Sequence, residues 1–291
     1  MDKTTSRLGI SAILLGGVAI GSAAIFMRLS PVAPSAAAFW RMALSVPVFA
    51  LFILLSPTVR QQLKTLNSLD LKLIAWVGFW FAVDLFFWHW AVEETTVANA
   101  TLLANLASVF TVVVGFFLFR ERFSRLFLTG LIMALMGAAT LVGQNAAISP
   151  DYLFGDFLGL MTSFALTGYV ICAAKARQSV PTNTLMVGSA LVSAILLLPA
   201  AIITDGNFTP PTLEGWFPLL GLALITHVMG QGLIIYGLAH ISPALGAIGL
   251  LIQPVVAAIL AWAIFDEALG ALHLVGGGLI LAGIWLSQRK N

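Results

Sequence analysis

The sequence predicts an all-α integral membrane protein in which ten transmembrane helices form two inverted five-helix repeats, and three observations carry that prediction. Hydrophobic residues make up 60% of the 291 and charged residues only 9%, against roughly 25% charged in soluble domains. Apolar runs long enough to cross a ~30 Å hydrocarbon core recur from end to end, with no polar block large enough for a soluble domain. Residues separated by about half the chain match at the same places relative to those runs.

The runs lie at residues 8–26, 35–55, 71–91, 96–118, 123–142, 152–174, 182–203, 213–238, 243–264 and 270–286. Lys3 and Arg7 ahead of the first run are also how a signal peptide begins, but 19 apolar residues suit a spanning helix better than a short signal core. Breakers occupy the joins: Ser30-Pro31, Ser56-Pro57, Ser149-Pro150, Val180-Pro181 with Asn183, Asp205-Gly206-Asn207, Pro210-Pro211 and Ser242-Pro243. The one cysteine, Cys172, excludes an internal disulfide and reads as a small apolar residue of the sixth helix. No metal site and no cofactor are expected.

Basic residues set the orientation. With both termini in the cytoplasm, Lys3, Arg7, Arg60, Lys64, Lys72, Arg120, Arg122, Arg125, Lys175, Arg177, Arg289 and Lys290 fall inside, 12 of the 14. Arg28 falls outside and Arg41 lies within the second helix. Glu93, Glu94, Asp151, Asp156, Asp205, Glu214, Asp266 and Glu267 lie on the outer side.

A shift of 146 lays Phe119, Glu121, Gly130 and Gly137 on Phe265, Glu267, Gly276 and Gly283. A shift of 147 lays Gly21, Arg28 and Pro34 on Gly168, Lys175 and Pro181. The units are then 1–146 and 147–291, with five helices each. Because five is odd, the second unit enters the membrane from the other side, an arrangement expected of alternating-access carriers with a site near the midplane.

Two five-helix units closing on Phe119-Arg120-Glu121 and Phe265-Asp266-Glu267, each followed by a helix with glycines seven apart, resemble the EamA domains of the drug/metabolite transporter superfamily. Gln253-Pro254 in the ninth helix fits that pattern, whereas the first unit has Ala107-Ser108 there. With its aromatic third helix, the chain looks most like the YddG-type aromatic amino acid exporters. The resemblance implies a bacterial inner-membrane protein that exports aromatic and other apolar amino acids, with lipophilic amines as the alternative cargo.

Ionisable groups at membrane depth cost ~2.5–3.5 kcal/mol each on insertion scales. Asp84 is too short to snorkel and shares a helical face with Trp80, Phe87 and Trp88. That face is a candidate binding surface, with the carboxylate for an ammonium and the rings for an apolar group; the alternative is a protonated acid bonded to a neighbouring helix. His89 lies about 140° round the helix and one turn before Glu93, so an interfacial pair is expected there. Thr101, Asn105 and Ser108 form a stripe in the fourth helix that binds substrate or joins helices. His227 and Gln231 in the eighth helix fall opposite Phe81 and Leu85 at the 146 shift, so the site is expected to be asymmetric. Tyr169 and Gln253 complete the candidate substrate residues. Arg41 is expected to snorkel outward, with carboxylate binding as the lesser reading. Gly9, Gly16, Gly17 and Gly21, and Gly276 to Gly278 with Gly283, are expected to be close-packing faces.

With Arg41 the one basic residue at depth, strongly anionic cargo is disfavoured. The sequence contains no H-E-x-x-H, no G-x-S-x-G and no second buried acid at a spacing that would make an aspartyl pair, which argues against an intramembrane enzyme. The expected protein is therefore a monomeric carrier of small molecules, without nucleic-acid partners.

Overall fold

The computed structural model describes residues 3–118, 120–143, 149–203, 207–266 and 269–289. Phe119 and Glu267 of the two motifs, Asp205 and Gly206 of one join, and Lys290 lie outside the described residues. Every regular element among the described residues is helical. Nine are long and apolar enough to cross a membrane: α1 (Arg7–Leu29), α2 (Pro34–Leu55), α3 (Ser68–Glu94), α4 (Asn99–Leu118), α5 (Arg125–Gly143), α6 (Pro150–Ala176), α7 (Thr182–Ile203), α8 (Trp216–Gly237) and α9 (Pro243–Phe265). The tenth, α10 (Ala271–Ser287), is equally apolar but 17 residues long, about 25 Å. This is the ten-helix membrane protein that the sequence predicts.

The joins work through local chemistry. Asn67 accepts from the amides of Leu69 and Asp70, and Asp70 accepts from the amide of Asn67, closing a capping box at the start of α3. Thr96 caps α4 through Asn99, and Ser242, ahead of Pro243, caps α9 through Leu245. Both repeat motifs end their helix alike: Arg120 and Asp266, one repeat apart, have φ of 54° and 55°, the left-handed turn that stops a helix. Two local features differ from the sequence expectation. The fourth helix is broken by a turn at Asn105 and Leu106, and α8 widens into a ten-residue π stretch at Leu222–Gln231.

Helix packing obeys the repeat. α3 packs on α6 as α1 packs on α8; α3 on α7 as α2 on α8; α4 on α6 as α9 on α1. α5 with α10, α2 with α7 and α4 with α9 pair with their own counterparts, as helices flanking a pseudo-two-fold axis must. The glycine contacts are reciprocal. A Cβ on Gly130 would lie 2.5 Å from the carbonyl oxygen of Gly283, and one on Gly283 equally close to that of Gly130. Gly137 and Gly276 repeat the relation at 2.5 and 2.7 Å. Only glycine allows such backbone approach. Gly9, Gly16, Gly17 and Gly21 are likewise packed tightly on α8 and α9, but Gly278 faces open space.

The first helix of each repeat thus joins the other repeat's third and fourth helices, giving two interlocked units, α3-α4-α6 and α8-α9-α1. At the membrane face that carries the N-terminus, α4 and α9 meet, with Val112 of α4 in one cluster with Ala244, Ile248 and Leu251 of α9. Toward the opposite face the contact ends. Along Gln253–Phe265 only Pro254 is buried, whereas a helix with protein on one side buries a stripe.

Candidate functional site at the crossing of α3 and α8

Phe81 is the central residue of α3, and His227 sits at the middle of α8. Their rings stack at 5.4 Å and 27°. Because 81 and 227 are repeat counterparts, their contact carries a geometric consequence: a position touches its own symmetry mate only beside the pseudo-two-fold axis. For an inverted repeat that axis lies in the membrane plane, so the Phe81–His227 contact marks mid-depth between the two halves.

Polar groups lie on both sides of this aromatic layer. Toward the N-terminal face, Tyr169 of α6 packs on Phe81 at 4.8 Å, and its hydroxyl accepts from Gln231 Nε2 at 2.5 Å. Phe49 of α2 meets His227 edge-on at 6.2 Å. Toward the opposite face, Arg41 and Asp84 lie at matching depth, each about 5 Å from the middle of its helix. They are within Coulombic reach of each other, and the Arg41 guanidinium stands 5.7 Å over the Phe81 ring. Exposure is 8% at Arg41 and 9% at Asp84. Buried nitrogens without a hydrogen-bond partner gather here: Arg41 Nε, His227 Nδ1 and His227 Nε2, with His89 Nε2 within Coulombic reach of Arg41. Buried polar atoms are nearly always bonded, so such a cluster calls for an explanation.

The two halves are unequal here. Asp84 corresponds to Gly230, which packs against Gly16, and Arg41 corresponds to Gly188, where a Cβ would strike Ile74 at 2.5 Å. Both charges come from the first repeat.

Other expected residues are placed apart from this layer. The Trp80 ring lies on Gly168 of α6, where a Cβ would approach it to 2.5 Å, and also stacks on Trp76. Phe87 packs beside Ala91, Ala100 and Leu158. Trp88 meets His89 edge-on. Ser108 donates to the Asn105 carbonyl at 2.9 Å, and the turn there breaks the stripe that Thr101, Asn105 and Ser108 would make on a straight helix. Gln253 is half-buried, at the head of the splayed half of α9. Two expectations are corrected. Arg41 does not snorkel; α2 directs it inward over Phe81. His89 is buried rather than interfacial: its Nδ1 bonds the Leu85 carbonyl of its own helix at 2.6 Å, and its Nε2 is buried without a hydrogen-bond partner.

Phe49 and Phe81 were not among the candidates that composition and helical phase pick out. The signal for Phe81 was available, since it aligns with His227 at the repeat shift. The π stretch that carries Thr226, His227 and Gln231 left no trace in the sequence pattern.

The sequence pattern of the "EamA-like transporter family" matches residues 7–143 and again 153–288. The chain belongs to this family. The EamA match falls on both halves, as the contact symmetry requires. Among relatives, an "Uncharacterized transporter" of Archaeoglobus fulgidus is 25% identical over 284 residues, 98% of this chain and 97% of that one. A "Probable amino-acid metabolite efflux pump" of Salmonella typhimurium is 27% identical over 202 residues, covering 65% and 66%. The "Pseudopaline exporter CntI" of Pseudomonas aeruginosa is 23% identical over 234 residues, covering 80% and 81%. A crystal structure superposes with a TM-score of 0.82 at 19% identity over 99% of this chain and 97% of that chain, which supports the fold. This EamA protein is therefore a multi-pass membrane transporter of small molecules.

Proposed function

We propose that this transporter exports aromatic and other apolar amino acids by alternating access. It does so from a bacterial cytoplasm across the inner membrane, with both termini cytoplasmic. The observation that carries the reading is the Arg41–Asp84 pair beside the Phe81–His227 stack: charges for a polar head next to rings for an apolar side chain, on the axis between the halves. Asp84 meets the substrate ammonium and the aromatic layer takes its side chain. The Salmonella relative, a probable amino-acid metabolite efflux pump, agrees with this cargo and the Pseudomonas relative, a pseudopaline exporter, with the direction, and the YddG-type exporters remain the comparison for cargo. The splayed outer half of α9 supports a state open toward the opposite, outer face, with the α4–α9 contact closing the cytoplasmic side.

No step requires a cofactor, a partner chain or bond chemistry, so the reading is that of a monomeric carrier and not an enzyme. Residues 1–146 and 147–291 are its two repeats. The test is counterflow in liposomes with labelled tryptophan, phenylalanine, threonine and a quaternary amine, with and without a pH gradient. Exchange of the aromatic amino acids is expected, abolished in Asp84→Asn and Asp84→Ala at equal expression. Normal rates in both variants would remove Asp84 from the site. A quaternary amine exchanging while every amino acid fails would favour the lipophilic-amine alternative instead.

A further inference from the structure

We propose that Arg41 is the carboxylate anchor of this site, so that the substrate is held as a zwitterion between Arg41 and Asp84. The inference rests on the reading of the layer above as the substrate site. Four observations support it. Arg41 is more than nine-tenths buried, and an arginine keeps its charge there. Its Nε has no partner, and no ion pair joins it to Asp84 among the described residues. A purely structural pair would have brought the fork into bonding contact with the acid, because a buried charge without bonded partners is costly. The two groups stand at the same depth on adjacent walls, α2 and α3. Neither is imposed by the fold, since glycine occupies the corresponding place in the other half in both cases.

A bound α-amino acid satisfies both at once. Its carboxylate takes the planar guanidinium fork, its ammonium takes Asp84, and Phe81 and His227 lie beneath its side chain. The arrangement also sets specificity. An amine lacking the carboxylate leaves Arg41 unpaired, and an acid lacking the amine places its charge against Asp84 with no compensation. His89, Tyr169 and His227 are the other titratable groups near Arg41, and none of them is an anion that could hold the guanidinium in place of substrate at neutral pH.

The experiment compares counterflow of phenylalanine, phenethylamine and 3-phenylpropionate in liposomes carrying wild type, Arg41→Met or Arg41→Lys, each checked for a monodisperse peak and an unchanged melting midpoint. Wild type is expected to favour phenylalanine. Arg41→Met is expected to lose about 10- to 100-fold in phenylalanine exchange while phenethylamine is spared, with Arg41→Lys between them. Equal loss for phenylalanine and phenethylamine in Arg41→Met, or equal use of the two by wild type, overturns the anchor. If Arg41→Met does not purify in folded form, Arg41→Lys decides, since it keeps the charge but loses the fork; an unchanged KM for phenylalanine there is a refutation. The two readings fail differently. Loss of phenylalanine exchange in Asp84→Asn with full exchange in Arg41→Met removes only the anchor, whereas a wild type that moves none of the compounds removes the site with it.

Discussion

The glycine seam between α5 and α10 makes the sharpest structural prediction. In Gly137→Ala the new Cβ lies 2.5 Å from the Gly276 carbonyl oxygen and 2.7 Å from the Ile280 amide nitrogen. Both are backbone atoms and cannot rotate away. Ordinary contact begins at 3.4 Å, so the helices must part by about 0.9 Å, enough to forfeit roughly a quarter to a half of the dispersion attraction along the seam. Overpacking of this kind costs ~1–3 kcal/mol, and the better helix propensity of alanine returns up to ~1 kcal/mol. The net expectation is a loss of about 1–2 kcal/mol. Because the contact is reciprocal, Gly276→Ala should cost about as much, and the double variant less than the sum, since one separation serves both. Gly278→Ala, on the same helix but with nothing within 4 Å, is the internal control and should be neutral or slightly stabilising. The measurement is the temperature at which half of the detergent-solubilised protein leaves its monodisperse peak. Gly137→Ala as stable as Gly278→Ala, or strict additivity in the double, would refute the reciprocal seam.

Two further predictions follow from the packing. Burial pushes the Glu121 carboxyl, folded back toward Gly115, above its usual range. The folded chain therefore holds this proton more tightly than an unfolded one, and stability is fully present below the ordinary carboxylate pKa and declines as pH rises through the raised value. Glu121→Gln should flatten that decline, and an unchanged pH slope would show that Glu121 does not contribute. The second concerns the interlocked units. In a Cys172→Ala background, Leu103→Cys with Gly159→Cys joins α4 to α6, and Ala19→Cys with Gly230→Cys joins α1 to α8; the Cβ atoms are 3.1 Å apart in each case, close to disulfide range. Each bridge lies inside one unit, so counterflow should be the same oxidised and reduced. Transport lost on oxidation and restored by reductant would show that the helices of that unit move against each other.

The ten helices, the inverted repeat and its glycine seam were all legible in the sequence, because each is a property of period, length or spacing. Arg41 was misjudged for a definite reason. Distance from the helix end measures whether a side chain can reach the interface, not which way its helix is turned, and α2 turns Arg41 inward over Phe81. His89 failed similarly, since pairing with Glu93 supposes an exposed edge, while the buried ring found a carbonyl one turn back. Helical phase grouped Trp80 with Asp84, yet an indole fills whatever notch faces it, and Gly168 provides one on α6. A π stretch adds one residue per turn without any composition of its own, so the registration of His227 and Gln231 had to come from coordinates.

The least legible feature was which helices pack together as units. Sequence divides the chain at its middle, but packing assigns α1 to the second repeat's third and fourth helices and α6 to the first repeat's. The exchange follows from inversion: two antiparallel copies that share one core bury most surface when each lends a helix to the other. The resulting units are held differently. α3-α4-α6 is fastened by directional bonds at both faces, where Asp156 accepts from Thr95 Oγ1 at 2.8 Å and Asn99 Nδ2 at 2.9 Å, and Asp70 accepts from Ser179 Oγ at 2.5 Å. At the corresponding places α8-α9-α1 has Gly9 against Ile241, and Val32 in one apolar cluster with Trp216. Hydrogen bonds fix a distance and a direction, whereas apolar contact tolerates sliding. The charged groups Arg41 and Asp84 sit on α2 and α3, so the acid stands on the unit whose helices are fixed by directional bonds at both faces, while the arginine lies outside both units.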